Sequence, residues 1–147
     1  MNFRQAQYSD AARIAYGLLV WDKELPEQKK MINGSIEDAY RAAEQICGGC
    51  FVTVVAEDQG EIVGTIAVKH SISLMGFQPH GNIVALFVMP KSRGQFLGLR
   101  LIRKAIEMKD QMKWNWLEMN PWADDARLEK ILHRLGFVDD THTHVLR

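Results

Sequence analysis

The run Ile83-Val84-Ala85-Leu86-Phe87-Val88-Met89 stops at Pro90, and a polar turn, Lys91-Ser92-Arg93-Gly94-Gln95-Phe96, follows it. Seven consecutive apolar residues cannot alternate between core and solvent, so the run reads as a strand covered on both faces. Proline ends it, because it cannot continue a central ladder. From Leu97 to Met112, Leu101, Ile102, Ala105, Ile106, Met108 and Met112 line one broad side of a helix. A doubly covered strand feeding a helix through a glycine turn requires a sheet with helices packed on it.

The remaining segments supply that sheet and those helices. Phe3 to Gln7 is a short first strand. Ser9-Asp10 offers an N-cap to a helix carrying Ala11, Ala12, Ile14, Ala15, Leu18 and Leu19. Glu24 to Gly34, polar and interrupted by Pro26, reads as a loop or a broken helix. Ser35 caps a second helix to about Ile46, with Glu37 and Asp38 at its positive end and Gly48-Gly49 as its stop. Phe51 to Ala56 and Ile62 to Lys69 form a hairpin about Asp58-Gln59-Gly60-Glu61, and Ser71 to Gly81 is less regular. Trp114 to Met119 reads as a strand, Asp124 to Leu135 as a helix closed by Gly136, and Phe137 to Leu146 as one or two final strands. The order β-α-α-β-β-β-α-β-α-β predicts an α/β (α+β) architecture. Nothing divides the 147 residues, which are expected to form a single domain.

Eighteen basic and 18 acidic side chains cancel, an argument against indiscriminate nucleic-acid binding. No apolar run approaches the roughly 20 residues of a membrane helix, and residues 1–7 lack a signal-type apolar stretch. A cytosolic location is therefore expected. The cancellation hides a segregation: residues 91–113 carry a net charge of +5, residues 1–90 carry −3 and residues 114–147 carry −2. The positive segment is the turn and helix after the buried strand. N–H groups in the first turn of a helix lack intrahelical acceptors, and the helix dipole adds positive potential there. Gly94 and Gly98 allow close backbone approach, and Lys91, Arg93, Arg100, Arg103 and Lys104 add charge. A phosphate or pyrophosphate cradle is the expectation. The spacing matches neither a Walker loop nor a dinucleotide fingerprint.

Val88-x-Pro90-x-x-Arg93-Gly94-x-x-x-Gly98, set between a strand and a helix, resembles the acetyl-CoA-binding motif of the GCN5-related N-acetyltransferases (GNAT). Leu132-x-x-Leu135-Gly136-Phe137 is similar to the end of that family's last helix. Val54-Val55-Ala56-Glu57 through Ile62-Val63-Gly64 is similar to its hairpin. The resemblance implies a mixed, mostly antiparallel central sheet flanked by helices, with the strand that ends at Val88 splayed from its neighbour. It implies acetyl-CoA as co-substrate, contacted by the backbone of Leu86, Phe87 and Val88 and by Arg93, Gly94, Gln95, Phe96, Leu97 and Gly98. The reaction implied is acetyl transfer to a primary amine, for which a mildly acidic remainder of the surface suits a cationic acceptor.

The chain departs from the family pattern at three places. Phe96 stands where the motif usually has glycine. Leu132 occupies the position at which many members carry a tyrosine acid, and Ile83 to Leu86 contain no carboxylate to act as base. His133 is one residue, about 100° of helix, away from the tyrosine position. His70, His80 and Glu57 are surface or strand-end residues unless the fold brings them to a cleft. The catalytic acid and base are left unassigned, and transfer by positioning is compatible with this. The second reading is a chain that keeps the fold without catalysis and serves in a larger assembly or homo-oligomer, as small phage-encoded relatives of the fold make conceivable.

Cys47-Gly48-Gly49-Cys50 is at most half a zinc site, and it follows a helix, whereas redox pairs precede one. In Asp139-Asp140-Thr141-His142-Thr143-His144, two histidines at i, i+2 share a strand face and could bind a divalent ion; a half-exposed strand is the plainer reading, and no metal is expected. Trp114, Trp116 and Trp122 read as core or interface packing, and Tyr16, Trp21 and Tyr40 as core packing or an acceptor pocket.

Overall fold

The computed structural model describes residues 1–27, 30, 34–120, 126–140 and 143–147. Strands β1 (Asn2–Gln5), β2 (Phe51–Asp58), β3 (Glu61–Ile72), β4 (Pro79–Val88), β5 (Leu117–Met119), β6 (Val138–Asp140) and β7 (Thr143–Leu146) make one sheet in the order β1-β2-β3-β4-β5-β7-β6. Every pairing is antiparallel except β4 with β5. Helices α1 (Ala11–Glu24) and α2 (Ile36–Ile46) pack on one face, and α3 (Leu97–Gln111) and α4 (Ala126–Arg134) on the other. The expected mixed, mostly antiparallel sheet flanked by helices is therefore what forms. The expected helix start at Asp124, as well as Trp122 and His142, lies outside the described residues.

β3 is buried continuously from Ile62 to Val68, which fits a sequence apolar but for Thr65. One face buries Val63, Ile66, Val68, Ile83, Leu101, Ile102 and Leu132; the other buries Val55, Ala67, Ala85 and Phe87 against Ile14, Ala15, Ala39 and Ala43. Gly17 of α1 carries the Phe87 ring, and a Cβ there would collide with it.

Four expectations are corrected. The segment 71–81 belongs largely to the β3–β4 hairpin, in which Ile72 pairs with Pro79 and Ser71 with His80. Its tip turns through Gly76 and Phe77, both at positive φ. The strand read from Trp114 begins only at Leu117, because Trp114 is a core residue whose ring fills the space left by Gly81. Asp10 makes no cap for α1. Its buried carboxylate instead accepts both terminal nitrogens of Arg4 (2.7 and 2.8 Å), one of Arg13 (2.6 Å) and the Gln7 amide (2.8 Å). Finally, Tyr16 and Tyr40 are exposed and lie outside the core. Ser35 behaves as expected, its hydroxyl accepting the Asp38 N–H at 3.3 Å.

The feature that positions the site is a break in β4. Ala67 pairs with Ala85 but Val68 with Ile83, so Val84 is an extra residue, a β-bulge. A bulge bends its strand. The parallel pairing to β5 covers Gly81, Asn82 and Ile83 and stops there. From Val84 to Val88, β4 keeps β3 on one side and has an open edge on the other, among the described residues.

Candidate active site

β4 ends in a short 3-10 turn, Pro90–Ser92, closed by hydrogen bonds from Ser92 N–H to the Met89 carbonyl (2.8 Å) and from Arg93 N–H to that of Pro90 (3.3 Å). The chain then passes through Gly94 (φ +90) and Phe96 (φ +56) into α3. Arg100 N–H is the first amide of the new helix to find an acceptor, the Phe96 carbonyl at 3.0 Å. Among the described residues, the amides of Gly94 to Leu99 donate to none. They border a cleft of about 240 Å³ between this loop and α4, lined by Val88, Arg93, Gly94, Phe96, Leu97, Gly98 and Leu99, with Arg127, Leu128 and Ile131 opposite.

The two glycines leave the cleft open. A Cβ on Gly94 would meet nothing within 4 Å, and one on Gly98 only Val88 Cγ2 at 4.0 Å. Phe96 does not close it either: its side chain is 73 % exposed, and the residue itself adopts the left-handed conformation that glycine adopts freely. The buried Leu97 side chain belongs to the core, so only its amide is available.

Two of the expected contacts are redirected. Met89 N–H donates to the Val63 carbonyl at 2.9 Å, so alternation turns the backbone groups of Leu86 and Val88 toward the open edge and those of Phe87 toward β3. Phe87 therefore does not present its backbone to the cleft. Gln95 borders a different, polar depression over the β2–β3 turn, with Asp58, Glu61 and Lys91.

The loop cations are already paired. Arg93 donates from Nε to the Val88 carbonyl (3.0 Å) and from a terminal nitrogen to Glu24 (2.7 Å), and Lys91 pairs with Glu61. Lys91 holds the Glu61 carboxyl below its ordinary range, and Glu61 raises the Lys91 ammonium. Exposed pairs of this kind contribute little and exchange readily. Arg100 lies over the Phe3 ring at 4.6 Å, and Lys104 over the same ring at 5.9 Å. Arg127, which sequence reasoning did not single out, brings a cation to the opposite wall.

None of the candidate acids and bases reaches the cleft. Leu132 is 0 % exposed and part of the core. His133 contacts Asp139 at 2.9 Å. His70 accepts the Trp114 indole N–H at 2.7 Å, and His80 stacks on Trp116 at 4.4 Å. Glu57 accepts from Arg4 at 2.8 Å. Cys47 and Cys50 are both free, and burial raises the Cys47 thiol pKa, the opposite of an activated thiolate.

On the other face of the sheet, a cavity of about 320 Å³ opens between α1, α2 and the bulge. Leu18, Trp21, Ala42, Ile46, Phe51, Val84 and Ala85 make it apolar, while Asp22, Gln45 and Lys69 add polar groups. Val84 and Ala85 line this cavity and Val88 lines the cleft, so the two flank opposite faces and ends of one open edge.

The sequence model of the acetyltransferase (GNAT) family matches residues 16–137, a span that contains the bulged strand, the amide loop and both walls of the cleft. The chain belongs to the acetyltransferase (GNAT) family. It is 27% identical over 141 residues to an "Uncharacterized N-acetyltransferase YhfO" of Bacillus subtilis, a match that covers 96% of this chain and 92% of that protein. Its fold superposes with a TM-score of 0.79 on a ribosomal-protein-alanine N-acetyltransferase of Brucella melitensis, at 17% identity over 99% of this chain and 97% of the other. It also matches a predicted acetyltransferase with acetyl-CoA from Clostridium acetobutylicum, with a TM-score of 0.69 and 16% identity over 95% and 91% of the two chains. The protein is thus an acetyltransferase of this family by sequence, with the family's fold. No helix among its described residues is long and apolar enough to cross a membrane.

Proposed function

We propose that residues 1–147 act as one cytosolic acyltransferase domain that transfers the acetyl group of acetyl-CoA to a primary amine. The observation that carries this reading is the convergence of unsatisfied backbone donors with an unpaired strand edge on one cleft. Amides at the start of a helix stabilise a diphosphate by charge-assisted hydrogen bonds and by the dipole. The peptide groups of Leu86 and the N–H of Val88, whose carbonyl accepts from Arg93, face the open edge and could pair with the amide-bearing arm of the same molecule, as an added strand would. Leu128 and Ile131 offer an apolar wall. Arg93 stands over the Val88 carbonyl and would exchange its exposed Glu24 partner for phosphate oxygen.

Acetyl-CoA supplies a thioester; the amine nitrogen bonds to its carbonyl carbon, the carbon–sulfur bond breaks, and the amine proton leaves as the thiol is released. The protein's part is to hold the two reactants. The acceptor would enter from the cavity at Val84 and Ala85, whose largely apolar wall suits an amine on an aliphatic or aromatic body. With Leu132 in place of a side-chain acid and no carboxylate on β4, water carries the protons and catalysis rests on orientation. Calorimetry with acetyl-CoA on the parent and on Gly94→Glu, which puts a carboxylate into the cradle, tests the binding step. Saturable binding lost in the variant is expected, and a parent that binds nothing overturns the reading. Thiol release across an amine panel, with light scattering for oligomeric state, tests turnover.

A further inference from the structure

The C-terminal end of the sheet holds a cluster unrelated to the cleft. Asp139 of β6 and His144 of β7 are directly paired across their hairpin, and His133 comes down on them from the last turn of α4. Asp139 Oδ1 lies 2.9 Å from His133 Nε2 and 2.6 Å from His144 Nδ1, and one ligand atom from each of the three residues lies within 4.8 Å of the others. The two imidazoles meet edge to face, 5.5 Å between centroids. The cluster lies among three elements and is not the i, i+2 histidine pair that the sequence brings to notice.

His144 is the anomaly. It is 6 % exposed, and its Nδ1 is completely enclosed and makes no hydrogen bond of acceptable direction, although a carboxylate oxygen is 2.6 Å away. A buried nitrogen without a partner loses its hydration and gains nothing in return. The two groups beside it, His133 and Asp139, are exposed and leave one side of the cluster to water.

We propose that His133, Asp139 and His144 form a binding site for a divalent transition-metal ion of the zinc type, completed by water. Two imidazole nitrogens and one carboxylate oxygen are a borderline donor set, suited to Zn²⁺ or Co²⁺ and ill-suited to Mg²⁺ or Ca²⁺, which take oxygen ligands. An ion about 2.1 Å from each ligand spaces them roughly 3.3 Å apart. The exposed Asp139 would back away from the imidazoles by less than an ångström, and the two imidazole nitrogens, within 4.8 Å of each other, would settle at the same spacing. The ion would satisfy His144 Nδ1 and tie the end of α4 to the β6–β7 hairpin, so the role is structural. His133 Nε2 then serves as a ligand and takes no part in acetyl transfer.

The test uses the full chain after chelator treatment, titrated with Zn²⁺ and, in parallel, with Co²⁺. One equivalent of bound ion is expected, with a rise in Tm and a Co²⁺ spectrum of nitrogen–oxygen ligation lacking thiolate charge-transfer bands. His144 is enclosed and its removal endangers folding, so the variants are His133→Ala and Asp139→Ala, both at exposed positions. Each should keep the parent's near-ultraviolet circular dichroism and lose more than the roughly 10–100-fold in affinity that loss of a supporting partner costs. No binding by the parent, binding unchanged in either variant, or a thiolate spectrum placing the ion at Cys47 and Cys50 would overturn the proposal. Binding is measured without acetyl-CoA, so this result and that of the acetyl-transfer experiment stand or fall separately.

Discussion

Adding one methyl group at each of two glycines separates what the cleft is for from what the fold needs. Gly98 is the second residue of α3, and a Cβ there would touch only Val88 Cγ2 at 4.0 Å, an ordinary contact. Gly98→Ala therefore creates no clash, and replacing glycine in a helix stabilises by up to about 1 kcal/mol. For a chain of this size the expected Tm change is between zero and about +4 °C. Gly94 sits at φ +90, where an L-residue costs roughly 1–2 kcal/mol, partly offset by about 0.4–1 kcal/mol from a less flexible unfolded chain. Gly94→Ala should lower Tm by a few degrees even though its methyl also meets open space.

Both methyls enter the cleft from its floor, where the open amides lie. A diphosphate pushed back by a methyl radius loses one or two charge-assisted hydrogen bonds, each about 1.5–3 kcal/mol. Both variants should therefore lose at least about tenfold in acetyl-CoA affinity. Scanning fluorimetry and calorimetry on the same preparations give the two numbers. The pattern expected is opposite signs in stability and the same sign in affinity. Undiminished acetyl-CoA binding by Gly98→Ala would refute a diphosphate at these amides, and a clear fall in its Tm would refute the open space at Gly98.

Two further outcomes follow from residues outside the floor of the cleft. Phe96→Gly releases a left-handed residue whose 73 % exposed ring gives little packing, so a gain of about 0.5–1 kcal/mol and unimpaired acetyl-CoA binding are expected from the same two assays. Asp10→Asn breaks the buried carboxylate's pairs with Arg4 and Arg13 and should cost about 3 kcal/mol at neutral pH, because both arginines retain contact with water. Arg4 holds the Asp10 carboxyl well below the usual carboxylate range and lowers that of Glu57. Such groups stabilise fully above the unfolded value, near 3.9 for aspartate, and lose that contribution as pH falls through the depressed one. The Tm gap between parent and Asp10→Asn should therefore narrow below about pH 4; parallel Tm curves down to pH 2 would show that Asp10 is not the group involved.

The sequence carried the architecture because its strongest signals are local. A doubly buried strand, a proline stop, a glycine turn and an apolar helix face each follow from neighbouring residues, and they coincide with β4, the loop and α3. Features set by partners distant in the chain, or by which of several side chains takes a given group, were not legible. The bulge at Val84 exists only as a mismatch between two strands' registers. Asp10 resembles a cap by position, but Arg4 and Arg13 take its carboxylate. Trp114 has the composition of a strand residue, yet Gly81 on another strand makes room for its ring. Arg127 and Asp22 carry no motif and reach the two cavities by topology alone. His133, Asp139 and His144 lie on three elements, and only folding converts them into a cluster.

Several departures from local rules meet in one segment. The bulge, the unpaired edge of β4, the amides without acceptors and two of the positive-φ residues all fall between Val84 and Leu99. Each is unfavourable by itself: an unsatisfied amide or an L-residue at positive φ costs about 1–2 kcal/mol. Water in the cleft reduces the cost of the open amides, and a dianionic diphosphate outcompetes that water because it brings charge to donors already aligned. Pairing β4 fully with β5, or capping α3 with a serine, would remove the cost and close the cleft at the same time. In this segment the strain falls where the ligand is read to bind, and it is this coincidence, more than any one residue, that ties the fold of this acetyltransferase to its chemistry.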